Sequence, residues 1–239
     1  MKLLTVIILF VLLPVFTMAQ VLPDGYDAVT KIQQQVWMDK KLSAANPEYS
    51  NVQGTPYILK EFSTGDFYFS NKTFITDKLI NYNCYTDEIL FSDKKNIYKI
   101  QSQDIDYFTI KRSEDGAMLL FKQVFMTAEK KRIFMQVLYQ GKAILYKRYR
   151  KEFLKADLGQ PYGSNRQVDE YNDYYEYYVS VDGHDPVILK PRKSSVTEIF
   201  SDMPGIMEAY LRDEKINLKN ETDLIKLTEY YDKKATQSQ

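Results

Sequence analysis

From Thr55 to about Phe153 apolar residues recur at every second position, in short runs separated by turn signals. The runs are "DFYFS", "TFITDKLINYNCY", "EILFS", "NIYKIQ", "DIDYFTI", "AMLLFKQVF", "RIFMQVLY" and "KAILYKRYRKEF". Each is rich in β-branched and aromatic side chains, and period two is the spacing of a strand with one face turned inward. Between the runs stand Ser70-Asn71, Thr86-Asp87, Asp93-Lys94-Lys95, Glu114-Asp115-Gly116 and Gln140-Gly141. Connections this short join antiparallel neighbours, because a parallel crossover needs a dozen residues or more. Residues 51–154 are thus predicted to be an antiparallel meander. In the run 132–139, Ile133, Met135, Val137 and Tyr139 point one way and Phe134, Gln136 and Leu138 the other. Apolar groups on both faces predict a sheet covered on both sides or curled into a partly open barrel.

The flanks read differently. Within an N-terminal segment 20–50, residues 24–43 carry Val29, Ile32, Val36 and Trp37 at helical spacing and end in Lys40-Lys41, which predicts a helix stopped by Asn46-Pro47. Residues 155–170, with Gly159, Pro161 and Gly163, predict a long loop. Residues 171–234 are predicted to hold a hairpin and a helical cap. The hairpin runs from Tyr174 to Val181, turns at Asp182-Gly183 and returns over Pro186 to Lys190. Ser195-Val-Thr-Glu198 has the form of a capping box opening a short helix. Pro204 suits a first helical turn, with Ile206, Met207, Tyr210 and Leu211 as the buried face of that helix. Asn220 and Asp223 precede Leu224, Leu227 and Tyr231 at helical spacing, and the tail KKATQSQ is expected to fray.

The first residues change the picture of where the chain resides. Lys2, the apolar run Leu3–Phe16 and the small-x-small triplet Thr17-Met18-Ala19 form a leader, residues 1–19, of the kind a signal peptidase removes. The run is short for a membrane span and no basic stop-transfer cluster follows. The expectation is an exported chain, periplasmic or secreted, beginning at Gln20 and not an integral membrane protein. No cysteine follows the cut, which argues against a lipoprotein. Capped terminal helices and charged residues on both faces of "NIYKIQ" and "YKRYRKEF" argue against an outer-membrane barrel. Without the leader about 220 residues remain, enough for a substantial core. The single cysteine, Cys84, sits in apolar alternation and predicts a small buried hydrophobe, so packing rather than disulfides must hold the exported fold.

Charge and motifs exclude more than they assign. Lys plus Arg and Asp plus Glu both number 32, which excludes a general nucleic-acid binder. P-loop and serine-nucleophile signatures are absent from the sequence, and no catalytic residue, metal ligand or cofactor is predicted. The lone histidine, His184, lies between Asp182 and Asp185 in a turn, where polar residues are expected for conformational reasons. Acidic pairs such as Asp104/Asp106 and Asp87/Glu88 keep a hydrolase among the alternatives. The basic-aromatic run 146–153 is that of an edge strand charged against aggregation, or of a site for an acidic partner or polysaccharide. In "YNDYYEYYVSV", residues 171–181, strand alternation puts Tyr175, Tyr177, Val179 and Val181 on the core side and Tyr174, Glu176, Tyr178 and Ser180 on the wetter side. Packing is the first reading of these rings; the second is a platform of Tyr171, Tyr174 and Tyr178 on which sugar rings or a partner's apolar groups stack.

Three segments resemble a group of uncharacterised secreted proteins from Bacteroidota: "GTPYILKEFSTG" with "INYNCYTDEILF", then "VLYQGKAILYKRY" with "PYG" downstream, then "INLKNETDLIKLTEYYD". The resemblance implies a shared fold and an envelope location, and carries over no catalytic residue. The sequence as a whole predicts an α+β protein: an N-terminal helix, a mainly antiparallel sheet or partly open barrel, and a C-terminal helical cap. Its expected role is a non-catalytic envelope binding or structural protein, with a protein or a glycan as partner.

Overall fold

A computed structural model describes residues 38–42, 52–93, 96–100, 104–157 and 167–237. The leader 1–19, residues 24–37 of the predicted N-terminal helix and residues 158–166 of the predicted loop lie outside these. The described strands are β1 (Met38–Leu42), β2 (Val52–Gln53), β3 (Ser63–Phe69), β4 (Phe74–Asn83), β5 (Glu88–Ser92), β6 (Ile97–Ile100), β7 (Ile105–Lys111), β8 (Met118–Met126), β9 (Lys131–Gln140), β10 (Ala143–Leu154), β11 (Asp169–Val181) and β12 (Val187–Ile188). The helices are α1 (Lys193–Ile199), α2 (Pro204–Asp213) and α3 (Glu221–Gln237).

The strands form one twelve-stranded sheet in the order β1-β6-β5-β4-β3-β7-β8-β9-β10-β11-β12, with β2 also on β11. Every pairing is antiparallel except β2 with β11, so the sheet is mixed only at that point. The predicted α+β class with a mostly antiparallel sheet and C-terminal helices is present. The sheet is open, its path ending at β1 and β12, yet it curls strongly. Tyr82 of β4 and Phe134 of β9 are four places apart in the order, but their ring centroids lie 6.2 Å apart.

That curl creates the principal core, where Phe67, Ile80, Tyr82, Phe108, Ile110 and Phe121 are buried on the concave face. Phe108 and Phe121 stack at 4.8 Å with 4° between their planes. Gly65 lets β3 approach β7, since a Cβ there would meet the Thr109 carbonyl oxygen at 2.1 Å. Cys84 is buried in this core, as alternation predicted, and burial pushes its thiol pKa up. Strands β10 and β11 bury side chains on both faces. One face of β10 and β11 gives Ala143, Leu145 and Val179 to a second core completed by Leu189, just after β12, and by Phe200, Met207, Leu224, Leu227 and Tyr231 of the helical cap. The other face gives Tyr146 and Tyr178 to a third cluster with Ile133 and Met135.

Several expectations need correction. The N-terminal helix is not supported: Met38–Leu42, its predicted end, is strand β1, antiparallel to β6. The outer backbone groups of β6 need partners, and supplying them outweighs helix preferences of a few tenths of a kcal/mol per residue. Strand β11 begins at Asp169, inside the predicted loop, because β10 offers it twelve successive partners from Ala143↔Val181 to Leu154↔Glu170. Ser195 does not cap α1. The helix starts at Lys193 after Arg192, and the Ser195 hydroxyl instead accepts a hydrogen bond from the Lys190 amide at 3.0 Å. Ile206 is exposed, although Met207 and Leu211 are buried as expected. The Asn220 side chain accepts from the Asp223 amide at 3.1 Å, the predicted cap of α3. That helix runs on through Gln237, held by buried Asp232 and Ala235 where fraying was expected.

Asp232 fixes the cap to the sheet. Its carboxylate accepts hydrogen bonds from the Tyr139 hydroxyl at 3.0 Å, the Lys142 amide at 2.9 Å and the Ala143 amide at 2.8 Å. Gly141 leaves the room: a Cβ there would lie 1.5 Å from Asp232 Oδ2.

Candidate ligand groove at the tyrosine strand

The long β10–β11 pair sets opposite one another, on the face toward the helices, Leu145 and Val179, Lys147 and Tyr177, then Tyr149 and Tyr175. The first pair lies under the cap, and the last stands clear of it, where Tyr175 keeps 49 % of its surface exposed. Lys147 organises the transition. Its Nζ lies 2.6 Å from Glu221 Oε2, 4.2 Å from the Tyr175 ring centroid and 4.9 Å from that of Tyr149. Glu221 opens α3, where the helix dipole favours a carboxylate, and it also accepts from the Tyr177 hydroxyl at 3.1 Å. Tyr149 meets Tyr175 edge-on, with centroids 5.3 Å apart and planes at 84°. The Tyr175 ring is thus held by a cation and by another ring while half of it faces solvent.

Beside it is a groove of about 440 Å³. Tyr175, Glu176 and Tyr177 form one wall; Ile188, Leu189, Lys190 and Pro191 form the second; Leu218 and Lys219, just before α3, form the rim. This volume lies within the range of small-ligand sites. Burial, reinforced by nearby acids, raises the phenol pKa values of Tyr149, Tyr175 and Tyr177. At neutral pH all three are protonated; Tyr177 donates to Glu221 and Tyr149 to Gln136 at 2.6 Å.

The acids around the groove are matched. Glu221 pairs with Lys147, Asp173 with Lys151, and Glu176 with Arg150 at 3.3 Å and Arg148 at 3.8 Å. Among the described residues, Lys190 and Lys219 are both exposed and neither has an ion-pair partner. The groove therefore carries a local excess of two positive charges.

The predicted platform of Tyr171, Tyr174 and Tyr178 is not gathered on one surface. Tyr171 is buried, its ring 5.5 Å from Tyr85 and 5.0 Å from Phe153. Tyr178 is buried in the third cluster and donates to Glu176 at 3.2 Å. Tyr174 is exposed at 39 %, with the Arg150 guanidinium 5.5 Å from its ring centroid. Strand alternation sets Tyr171 opposite the other two, and the supposed wetter face is itself covered near Tyr178 and Ser180.

The basic run 146–153 is likewise spent internally. Strand β11 pairs the whole of β10, whereas the β9 register stops at Lys147, so the predicted edge character is removed at Tyr146 and Lys147 but not over residues 148–153. Arg148 is buried and holds Glu129 through both guanidinium ends. His184 is exposed in its turn, and the neighbouring Asp185 carboxylate accepts from the Thr127 hydroxyl. Asp106 accepts from Ser70 at 2.7 Å, and Asp87 accepts from Tyr82 at 2.8 Å, so these acids serve turn and core packing. No cluster of three or more histidine, cysteine or acidic side chains able to hold a metal occurs among the described residues. Nor is any helix among them long and apolar enough to cross a membrane.

Sequence reasoning assigned Tyr175 and Tyr177 to the core side and did not link Lys147 to Glu221. Their proximity depends on the β10–β11 register and on where α3 docks, which local spacing does not encode. Comparison with known proteins finds no matching family model, no matching curated protein and no matching solved structure.

Proposed function

We propose that this chain is an exported, non-catalytic binding protein of the cell envelope that receives a saccharide in the groove beside Tyr175. The observation that carries the reading is the Tyr175 ring, half exposed on the wall of a 440 Å³ groove and fixed by Lys147 and Tyr149. A sugar ring presents a C–H face that packs on such a ring, and hydroxyls at its edge that can hydrogen-bond the Tyr175 phenol. Restraint of the ring before binding lowers the ordering entropy that association costs. The export part of the proposal rests on the leader 1–19, and N-terminal sequencing of the mature protein is expected to begin at Gln20.

The binding part is tested on a glycan array with purified protein and two single variants. Tyr175→Ala is expected to weaken retention at least about fivefold, the loss of one stacking contact of roughly 1 kcal/mol or more. Tyr174→Ala, on the opposite face, is expected to leave retention unchanged. Equal retention by all three proteins, or no saccharide retained by the unaltered chain, removes the proposal.

A further inference from the structure

We infer that the saccharide recognised in this groove is acidic, with a carboxylate or sulfate group placed between Lys190 and Lys219. The inference rests on the binding reading above and adds the charge of the ligand. Every acid near the Tyr175 wall already has a named cation: Glu221 has Lys147, Asp173 has Lys151 and Glu176 has Arg150. The two rim lysines have none among the described residues, and they come from different segments, one following β12 and the other preceding α3. A neutral sugar leaves both ammonium groups solvated and gains nothing from them. An anionic one meets two donors in a groove whose remaining walls, Ile188, Leu189, Pro191 and Leu218, suit the C–H face of the ring.

An acidic peptide fits less well. The odd-numbered residues of β11 turn their backbone groups toward its outer edge, as the hydrogen bond from the Leu189 amide to the Tyr177 carbonyl at 2.8 Å shows. β12 pairs at Tyr178 and Val179, and β2 at Asp169 and Glu170. Between them the described edge offers outward groups only near Asp173 and Tyr175, which is short for strand addition.

The test measures binding of the full mature chain to three matched oligosaccharides: one bearing uronic acids, one sulfated, and their neutral counterpart. Acidic forms are expected to bind more tightly than the neutral one, and comparison of the two identifies the anion preferred. Lys190→Gln and Lys219→Gln, both at exposed positions, are each expected to weaken acidic binding roughly fivefold and leave neutral binding unchanged. Raising salt from about 0.05 M to about 0.5 M is expected to erase most of the acidic preference. Equal affinity for acidic and neutral sugars, with both lysine variants unaltered, overturns this inference and leaves the binding reading standing. Absence of any saccharide binding overturns both. Retention of an acidic peptide in place of every sugar also overturns it.

Discussion

Replacing Asp232 by alanine tests the claim that one carboxylate locks the helical cap to the sheet. The substitution removes the acceptor of three hydrogen bonds. The groups left behind differ in their access to water. Ala143 is fully buried, so its amide loses its partner without replacement, at a cost of about 1–3 kcal/mol. Lys142 and Tyr139 are part-exposed and can be rehydrated, which limits each loss to about 1 kcal/mol. The sum is about 4 kcal/mol. With a urea dependence of about 2 kcal/mol per molar, the unfolding midpoint is expected to fall by about 2 M. Gly141 supplies the stricter check. Its backbone is not in the left-handed region, so alanine is conformationally acceptable there, but the added Cβ would occupy the place of Asp232 Oδ2. Gly141→Ala is therefore expected to be strongly destabilising in the natural chain and nearly neutral once Asp232 is alanine. Urea unfolding of the two single variants and the double variant, followed by circular dichroism, completes the cycle. Additivity within about 0.5 kcal/mol refutes the shared-space argument, since sites that do not interact add in this way. A midpoint shift below about 0.3 M for Asp232→Ala refutes the lock itself.

Two further outcomes follow from burial and charge. Cys84 is buried, with its thiol pKa raised by desolvation, so it is expected to resist a thiol-specific reagent in the folded protein and to react fully in denaturant; rapid labelling without unfolding contradicts the core assignment. Glu129 has its pKa lowered by hydrogen bonding from Arg148, then by the attraction of Arg148 and Lys131. A carboxyl depressed on folding stabilises above its unfolded pKa, about 4.5, and loses that contribution as pH falls through the folded value. Glu129→Gln is expected to cost about 2 kcal/mol at pH 7, because it takes the nearest carboxylate from the buried Arg148 guanidinium and leaves Glu176 at 3.8 Å. The gap from the natural chain is expected to narrow as the pH drops below about 4.5; a gap constant between pH 7 and pH 3, by denaturant titration, refutes the linkage.

The strands from β3 to β10 were legible because each depends on neighbours close in sequence. Alternation of Phe67 with Phe69, or of Ile133 with Met135, announces a buried face whatever lies across from it. The tight turns announce antiparallel order, and Asp182-Gly183 does adopt positive φ at both residues, 50° and 75°. Pro204 and Asn220 marked helix starts for the same local reason. The groove was not legible. Tyr171, Tyr174 and Tyr178 looked alike along the strand, yet two are buried by different layers and one is exposed.

What the amino-acid order determined by itself is the kind of element in the meander from β3 to β10 and in the C-terminal helices, and the burial of side chains that alternate strictly, since both arise from dihedral preferences and hydrophobicity acting over a few residues. What only the folded chain decided is which strand face meets the helices, which meets the curled half of the sheet, and which stays wet. Those outcomes depend on contacts such as Asp232 to Ala143, 89 residues apart, and Lys147 to Glu221, 74 apart. Such pairs exist only after the backbone has closed distances that no local pattern describes.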